Sequence, residues 1–522
     1  MSFYQLYELN HAALAPWRAV MDATRLAFQN PFNPLSDTTF GRSVAATAEL
    51  FERTTRRYGK PAFGIFETVV DGRTVPVSET AVWRKPFCSL LHFQRALPPD
   101  RPHDPKVLIV APLSGHYATL LRGTVEAMLP EHEVFVTDWA DARMVPVSDG
   151  RFDLDDYIDY VIAMLHHLGP NTHVVAVCQP SVPVLAAVAL MSEDRDPDLP
   201  RTMTLMGGPV DTRLAPTAVN RLAKQRGTEW FAHNTIMAVP FPHPGFMRKV
   251  YPGFLQLSGF MAMNFDRHAT AHQEFYQHLV DGDGDSAEKH RDFYDEYLAV
   301  MDLTAEFYLQ TVEVVFVKHL LPNGQMTHRG RPVRTEAIRR TALLTIEGER
   351  DDISGVGQTK AAHALCTNLA YEKKQHFLAI GVGHYGVFNG SRFRSEIQPR
   401  IADFIRKHHG GANGSLERAS APVNGRRARG MEARLADAFG ITALAGKTLT
   451  EVTGGMAEGL TAIAGIGPRM VERLNTLGVF EVGQLAEMAD DAARALDEAL
   501  KGRASREDWF GQARRLAGLP DD

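Results

Sequence analysis

The segment Thr172-His173-Val174-Val175-Ala176-Val177-Cys178-Gln179-Pro180-Ser181 limits the fold more than any other stretch of this 522-residue chain. Its apolar, β-branched run has the length and character of a buried strand. The run stops at a cysteine, and Val182 to Met191 continues as a helix of small, apolar residues. A strand, a sharp turn and a helix, with a thiol at the turn, is a unit of a parallel sheet with crossover helices. Strand and helix pass close together at such a turn, which favours small flanking residues. Ala176 meets that demand in part, and Pro180 departs from it. Taken alone, the segment fits two readings. Cys178 is either a nucleophile held at a turn or a buried core thiol, the common fate of a free cysteine.

The turn resembles the nucleophile turn of α/β-hydrolases, G-x-S-x-G. Ala176 and Pro180 stand where that pattern has glycines, and Cys178 stands where it has serine. A thiol nucleophile needs a histidine to take its proton and a carboxylate to orient the histidine. In this fold the order along the chain is nucleophile, acid, histidine, each just past a strand end. Ala342 to Ile346 has a short buried-strand pattern and runs into Glu347-Gly348-Glu349-Arg350-Asp351-Asp352-Ile353. His376 to Ile380 is a further strand pattern, followed by Gly381-Val382-Gly383-His384-Tyr385-Gly386. Three loops in the required order favour a triad of Cys178, Asp351 and His384. Asp352 and Glu349 are the neighbouring carboxylates, read as solvated side chains or, for Asp352, as a helix cap. The oxyanion is expected to meet backbone N–H groups of Gln179 and of the Ser114-Gly115-His116 loop that follows the strand pattern Lys106 to Ala111.

Around this site the chain is expected to be α/β, in an α/β-hydrolase arrangement. Strand patterns at KVLIVA, EVFVTDWA, HVVAVC, TMTLMGG, ALLTIEG and HFLAIG alternate with helices, as a parallel sheet requires. Residues 1–105 read as an N-terminal extension, helical to about 60 and then a hairpin with Asp71-Gly72 at its turn. Residues 106–408 read as the catalytic domain, with a helical, aromatic insertion at about 211–341. Its place between nucleophile and acid suits a lid over a hydrophobic substrate, with Phe241 and Phe246 as first candidates for substrate binding. Asp281-Gly282-Asp283-Gly284-Asp285 lacks the glutamate and spacing of a calcium loop and reads as a solvated turn. Residues 409–430 read as a linker and 431–522 as a small helical domain. The segment Leu460 to Arg469, with its Gly465-Ile466-Gly467, resembles a helix-hairpin-helix unit.

Charge narrows the partners. The net charge of −6 argues against nucleic-acid binding by the catalytic domain. From Met431 onward, 10 Lys plus Arg face 15 Asp plus Glu. That balance disfavours tight phosphate binding and leaves the partner of the C-terminal domain open. Cys88, Cys178 and Cys366 form neither a disulfide framework nor a zinc pattern, so no metal is expected. Met1 to Gln5 has no signal-peptide character, and no apolar run reaches the roughly 18 residues of a membrane span. A cytoplasmic location is expected.

With its loops in place, residues 1 to about 408 resemble an intracellular poly(3-hydroxybutyrate) depolymerase of the cysteine type. The resemblance rests on Tyr4-Gln5-Leu6-Tyr7-Glu8, Ala111-Pro112-Leu113-Ser114-Gly115-His116-Tyr117, Val177-Cys178-Gln179-Pro180-Ser181, Gly348 to Ile353 and Gly383-His384-Tyr385-Gly386. It implies Cys178 as nucleophile, Asp351 as acid and His384 as base, a polyhydroxyalkanoate granule as partner, and no cofactor, with coenzyme A as an alternative acyl acceptor. Two other functions remain in view. A polyhydroxyalkanoate synthase-like acyltransferase normally keeps glycines around its cysteine, which Pro180 counts against. A non-catalytic, granule-associated adaptor would make no use of three ordered triad loops.

Overall fold

The computed structural model describes residues 3–263 and 265–409 and, further on, residues 463, 466, 470, 474, 485, 486, 493, 496, 497, 500, 505 and 508–516. They fall into two compact units, Met1–Gly414 and Ser415–Asp522. The first is built on nine strands: β1 (Glu67–Val70), β2 (Arg73–Lys85), β3 (Cys88–Arg95), β4 (Lys106–Val110), β5 (Glu133–Trp139), β6 (Thr172–Val177) and β7 (Thr202–Met206), with two more after an insertion. That insertion carries five short strands: β8 (Met237–Ala238), β9 (Lys249–Tyr251), β10 (Leu303–Thr304), β11 (Thr327–His328) and β12 (Arg331–Pro332). The main sheet then closes with β13 (Ala342–Gly348) and β14 (Lys374–Ala379), in the order β1-β2-β3-β5-β4-β6-β7-β13-β14.

From β5 through β14 every neighbouring pair is parallel, and β1, β2 and β3 continue the sheet antiparallel. Helices pack on the sheet, as in the α/β-hydrolase arrangement expected. All six residues of β6 are buried, as befits a central parallel strand covered on both faces. The helix that follows it, Ser181–Glu193, is buried from Ser181 to Met191, so its apolar character all round is that of a core helix. The chain passes from β4 to β5 on one side and to β6 on the other. That switch opens a crevice at the carboxyl ends of β4 and β6, where open α/β sheets bind ligands.

The hairpin expected within the N-terminal extension forms the edge of this sheet. β2 pairs with β3 from Val77 to Lys85, and β3 pairs with β5. Cys88, Leu90, Leu91 and Phe93 are buried there, so the sheet continues upstream of residue 106. The segment ahead of the hairpin is helical, as expected: α1 (Phe3–Ala13), α2 (Ala15–Gln29) and α3 (Thr39–Thr55). These helices pack on the insertion. The Tyr4 hydroxyl donates to Asp302 at 2.7 Å, and Arg291 reaches Glu49 at 2.7 Å.

The insertion between β7 and β13 contains the helices Ala218–Asn234, Gly253–Met263, Phe265–Asp281, Gly284–Tyr297 and Ala305–Thr311, and β8, β9 and β10 form a small antiparallel sheet. Asp283 caps Gly284–Tyr297 by accepting from the Ser286 N–H at 3.1 Å, so the acidic glycine-rich stretch is a helix-to-helix turn. In the second unit, Ile463, Ile466, Leu474, Leu485, Leu496, Leu500 and Trp509 form a buried apolar cluster, and Trp509–Leu516 is a helix. His409 is the last residue of the helix Gln398–His409. The expected linker beyond it and most of the expected 431–522 helical domain lie outside the described residues.

Candidate active site

The strand-to-helix turn after β6 places Cys178 at φ +68°. Backbone in this region is costly for any residue with a Cβ and persists where surrounding contacts hold it. Here the Cys178 N–H donates to the Met206 carbonyl at 2.7 Å, and the Cys178 carbonyl accepts from Ser181 N–H at 3.1 Å. Pro180, the departure from a glycine pattern, sits at φ −55°. That angle lies within the range proline fixes. Its carbonyl accepts from the Val184 N–H at 2.9 Å and so joins the first helical turn.

The close approach that glycines beside a nucleophile would allow is provided just past β7 instead. A Cβ on Gly208 would lie 1.9 Å from Ser181 Oγ and 2.8 Å from the Cys178 carbonyl oxygen. Gly207, at φ +56°, would bring a Cβ to 3.3 Å from Asp351 Oδ2 and 3.5 Å from His384 Cε1. In the sequence this glycine pair stands only as the end of a strand pattern. The contacts that need it come from other strands.

Past β13 and β14, Asp351 and His384 meet. Their side chains are 0% and 5% exposed, and His384 Nδ1 lies 2.7 Å from Asp351 Oδ2. The other carboxylate oxygen, Oδ1, accepts from the N–H groups of Ile353 at 2.9 Å and Ser354 at 2.7 Å. Burial alone would drive the proton off His384. The charges of Cys178 and Asp351, and hydrogen bonds from His384 to both, outweigh that and hold its pKa well above the usual histidine range. Asp352 and Glu349 are exposed. Glu349 Oε2 accepts from the Gly381 N–H at 2.8 Å and steadies the loop that carries His384.

Cys178 is half-buried, whereas Cys88 and Cys366 are buried. Burial pushes the Cys88 thiol well up and the Cys366 thiol to about 12, the latter partly offset by Lys374. Neither supplies a thiolate near neutral pH.

Cys178 and His384 open onto a cavity of 540 Å³, a size common for small-molecule sites. Ser114, His116, Gln179 and Gln256 line it, and Gly115, at φ +101°, lies against the Gln256 carboxamide, where a Cβ would come within 2.4 Å of Oε1. Among the described residues no backbone acceptor takes the Gln179 N–H. The Gly115 carbonyl accepts from Met301 N–H at 2.7 Å, which ties this loop to the insertion. Burial lowers the His116 pKa to about 4, and its Nε2 lies 3.0 Å from the Tyr297 carbonyl. Thus His116 is neutral near pH 7 and braces the loop.

Phe241 and Phe246, expected to contact substrate, do not line this cavity. They are 80% and 49% exposed and pack edge to face on the outer surface, 6.4 Å between ring centres. The insertion's aromatic wall is made by Phe231, Tyr251, Phe307, Tyr308 and Phe316. Composition pointed to aromatics in the insertion, but which of them turn inward depends on how its helices pack.

Comparison with known proteins bears on both units. Residues 207–409 match the family described as PHB de-polymerase C-terminus, a span that includes Asp351 and His384 and begins after Cys178. Residues 460–517 match the RS2/RL21/YNQ2 HHH domain. The chain is 39% identical over 62 residues to small ribosomal subunit protein uS2 of Methylobacterium sp. (strain 4-46), covering 12% of this chain and 18% of that protein. The uS2 protein of Beijerinckia indica is 37% identical over 70 residues, covering 13% and 21%. The chain thus spans about a fifth of the length of the curated relatives it matches. Among solved structures it is similar to a putative lipase from Acinetobacter baumannii at 13% identity, covering 63% of this chain and 91% of that one, with a TM-score of 0.35. An esterase from Thermogutta terrifontis is 14% identical, covering 66% and 98%, with a TM-score of 0.33.

Proposed function

We infer, from the match of residues 207–409 to the PHB de-polymerase C-terminus family and from the site's geometry, that this chain is an ester-bond hydrolase, a cysteine-dependent depolymerase of poly(3-hydroxybutyrate) and related polyhydroxyalkanoates. One observation carries this reading: Cys178, held at φ +68° on a strand-to-helix turn, shares an apolar cavity with His384, whose Nδ1 is held by the buried Asp351. A structural core thiol needs neither the strained turn nor a charged histidine beside it.

The chemistry follows from these groups. His384 takes the Cys178 proton, and Asp351 holds the imidazole with Nδ1 toward the carboxylate, leaving Nε2 to serve the thiol. The thiolate attacks an ester carbonyl, and the Gln179 N–H, with the Ser114 to His116 loop, receives the oxyanion. As the C–O bond breaks, the alcohol oxygen leaves with the proton from His384. Water, activated by the same histidine, then cleaves the thioester and restores the thiol. Coenzyme A is the alternative acyl acceptor and would leave as a 3-hydroxyacyl thioester.

The reading extends to the granule surface as partner and to a cytoplasmic location. Among the described residues no helix is long and apolar enough to cross a membrane. Phe241, Phe246 and Met247 lie exposed on the insertion, where a hydrophobic polymer would meet them.

The direct test incubates the purified chain with native amorphous granules and analyses the soluble products. Release of 3-hydroxy acids is expected, and Cys178→Ala should abolish it while circular dichroism is unchanged. Iodoacetamide should inactivate the wild type in step with alkylation of Cys178. Full activity in the alanine variant would overturn the assignment.

A further inference from the structure

The cavity wall is mostly apolar, yet several of its polar atoms are buried without partners. Gln179 is 9% exposed, and neither its Oε1 nor its Nε2 has a hydrogen-bond partner among the described residues. Gln256 Oε1, Thr311 Oγ1 and Ser354 Oγ, from three other segments lining the same cavity, are likewise buried and unmatched. Buried polar atoms are nearly always paired, by protein, water or ligand. Four such residues around one cavity, one of them next to Cys178, mark a place where its contents supply the partners.

The chemistry of these atoms says what the contents are. The interior of a polyester chain offers acceptors only. A carboxamide oxygen is met only by a donor, and the donor on a 3-hydroxyacyl chain is the free hydroxyl at one end. A glutamine side chain offers both an acceptor and a donor, so it can take a hydroxyl hydrogen and also donate to an ester or hydroxyl oxygen. Gln179 directly follows the nucleophile, and the 3-hydroxyl lies only two carbons from the carbonyl under attack. Gln179 already lines the cavity, and the soft terminal torsion of glutamine lets its carboxamide offer either the oxygen or the NH₂ to a bound hydroxyl.

We propose that Gln179, together with Gln256, recognises the free 3-hydroxyl of the terminal unit, so that the enzyme shortens its polymer stepwise from the hydroxyl end. The proposal rests on the reading of Cys178 as nucleophile. The thiolate forms a thioester with the terminal 3-hydroxyacyl unit, and the bond from its carbonyl carbon to the 3-oxygen of the second unit breaks. That oxygen takes the proton from His384 and becomes the new hydroxyl end. Water then cleaves the thioester, releasing one 3-hydroxy acid and the thiol. Each turnover regenerates the group that Gln179 binds.

The test compares kcat/KM for 4-nitrophenyl 3-hydroxybutyrate, 4-nitrophenyl butyrate and 4-nitrophenyl 3-acetoxybutyrate. The wild type should prefer the hydroxyl ester by about 10-fold to 100-fold, the range expected when an analogue leaves a buried polar group unpaired. Gln179→Met and Gln256→Met keep the side-chain length and remove the carboxamide, and each should bring the ratio toward one. A wild-type ratio near one, or a ratio that survives both substitutions, overturns the proposal. If Gln179→Met fails to fold, Gln256→Met decides alone. Failure of the wild type to cleave any of the three esters would instead overturn the hydrolase reading beneath it.

Discussion

Replacing Asp351 by asparagine tests the arrangement most sharply, because the structure leaves the new side chain no good orientation. Asp351 accepts on both sides: Oδ1 from the N–H groups of Ile353 and Ser354, and Oδ2 from His384. An asparagine must turn its NH₂ toward one of these. Keeping the two backbone bonds puts the NH₂ against His384 Nδ1 and forces the tautomer whose Nε2 carries the proton, which cannot accept from the thiol. The equivalent change in a serine protease costs about 10⁴ in kcat, or roughly 5 kcal/mol of barrier. The opposite orientation sets a donor against two backbone donors and costs about 1–3 kcal/mol of stability. Asp351→Asn is therefore expected to lower ester hydrolysis by about 10⁴-fold, whereas exposed Asp352→Asn should change stability by less than about 0.5 kcal/mol and leave the rate near wild type. The pH dependence gives a second readout. His384 has a folded pKa above its unfolded value of about 6.5, so its contribution to stability is full below that pH and is lost as pH rises through the folded value. Removing the Asp351 charge lowers the folded value, and melting temperatures of the variant should fall less steeply above pH 6.5 than those of the wild type. Stopped-flow kinetics and melts across pH 6 to 9 check both. A larger loss in Asp352→Asn, or identical pH slopes, would refute the assignment.

Two other changes probe what surrounds the triad. Gly208→Ala places a Cβ 1.9 Å from Ser181 Oγ; it should push the start of the Ser181–Glu193 helix away from β7, cost about 1–3 kcal/mol in melts and reduce activity, and a variant with wild-type stability would show that this contact yields freely. Replacing Phe241 and Phe246 together by serine should slow attack on amorphous granules more than hydrolysis of a soluble ester, because both rings lie outside the cavity. Equal losses on the two substrates would place them in packing and not in docking.

The parts of this site that could be read in the sequence are those written within one segment. The β-branched run into Cys178 announces its own strand and turn, and the loops with Asp351 and His384 follow strand patterns of the same kind. What escaped is set by contacts between distant segments. Gly207 and Gly208 look like the tail of a strand until Ser181, Asp351 and His384 are seen against them. β3 mixes His92 and Gln94 with apolar residues, and its membership of the sheet follows from pairing with β5. Pro180 makes the same point from the other side. Measured against the glycine pattern it counts as a departure, because the pattern stands for close packing around the nucleophile. In this chain the backbone at that position has φ −55°, which proline supplies, and the space comes from Gly208, just past the neighbouring strand. A turn of this kind is therefore recognised by the positive φ of its nucleophile and by whatever makes room for it, and the glycines that make room need not lie beside it in sequence.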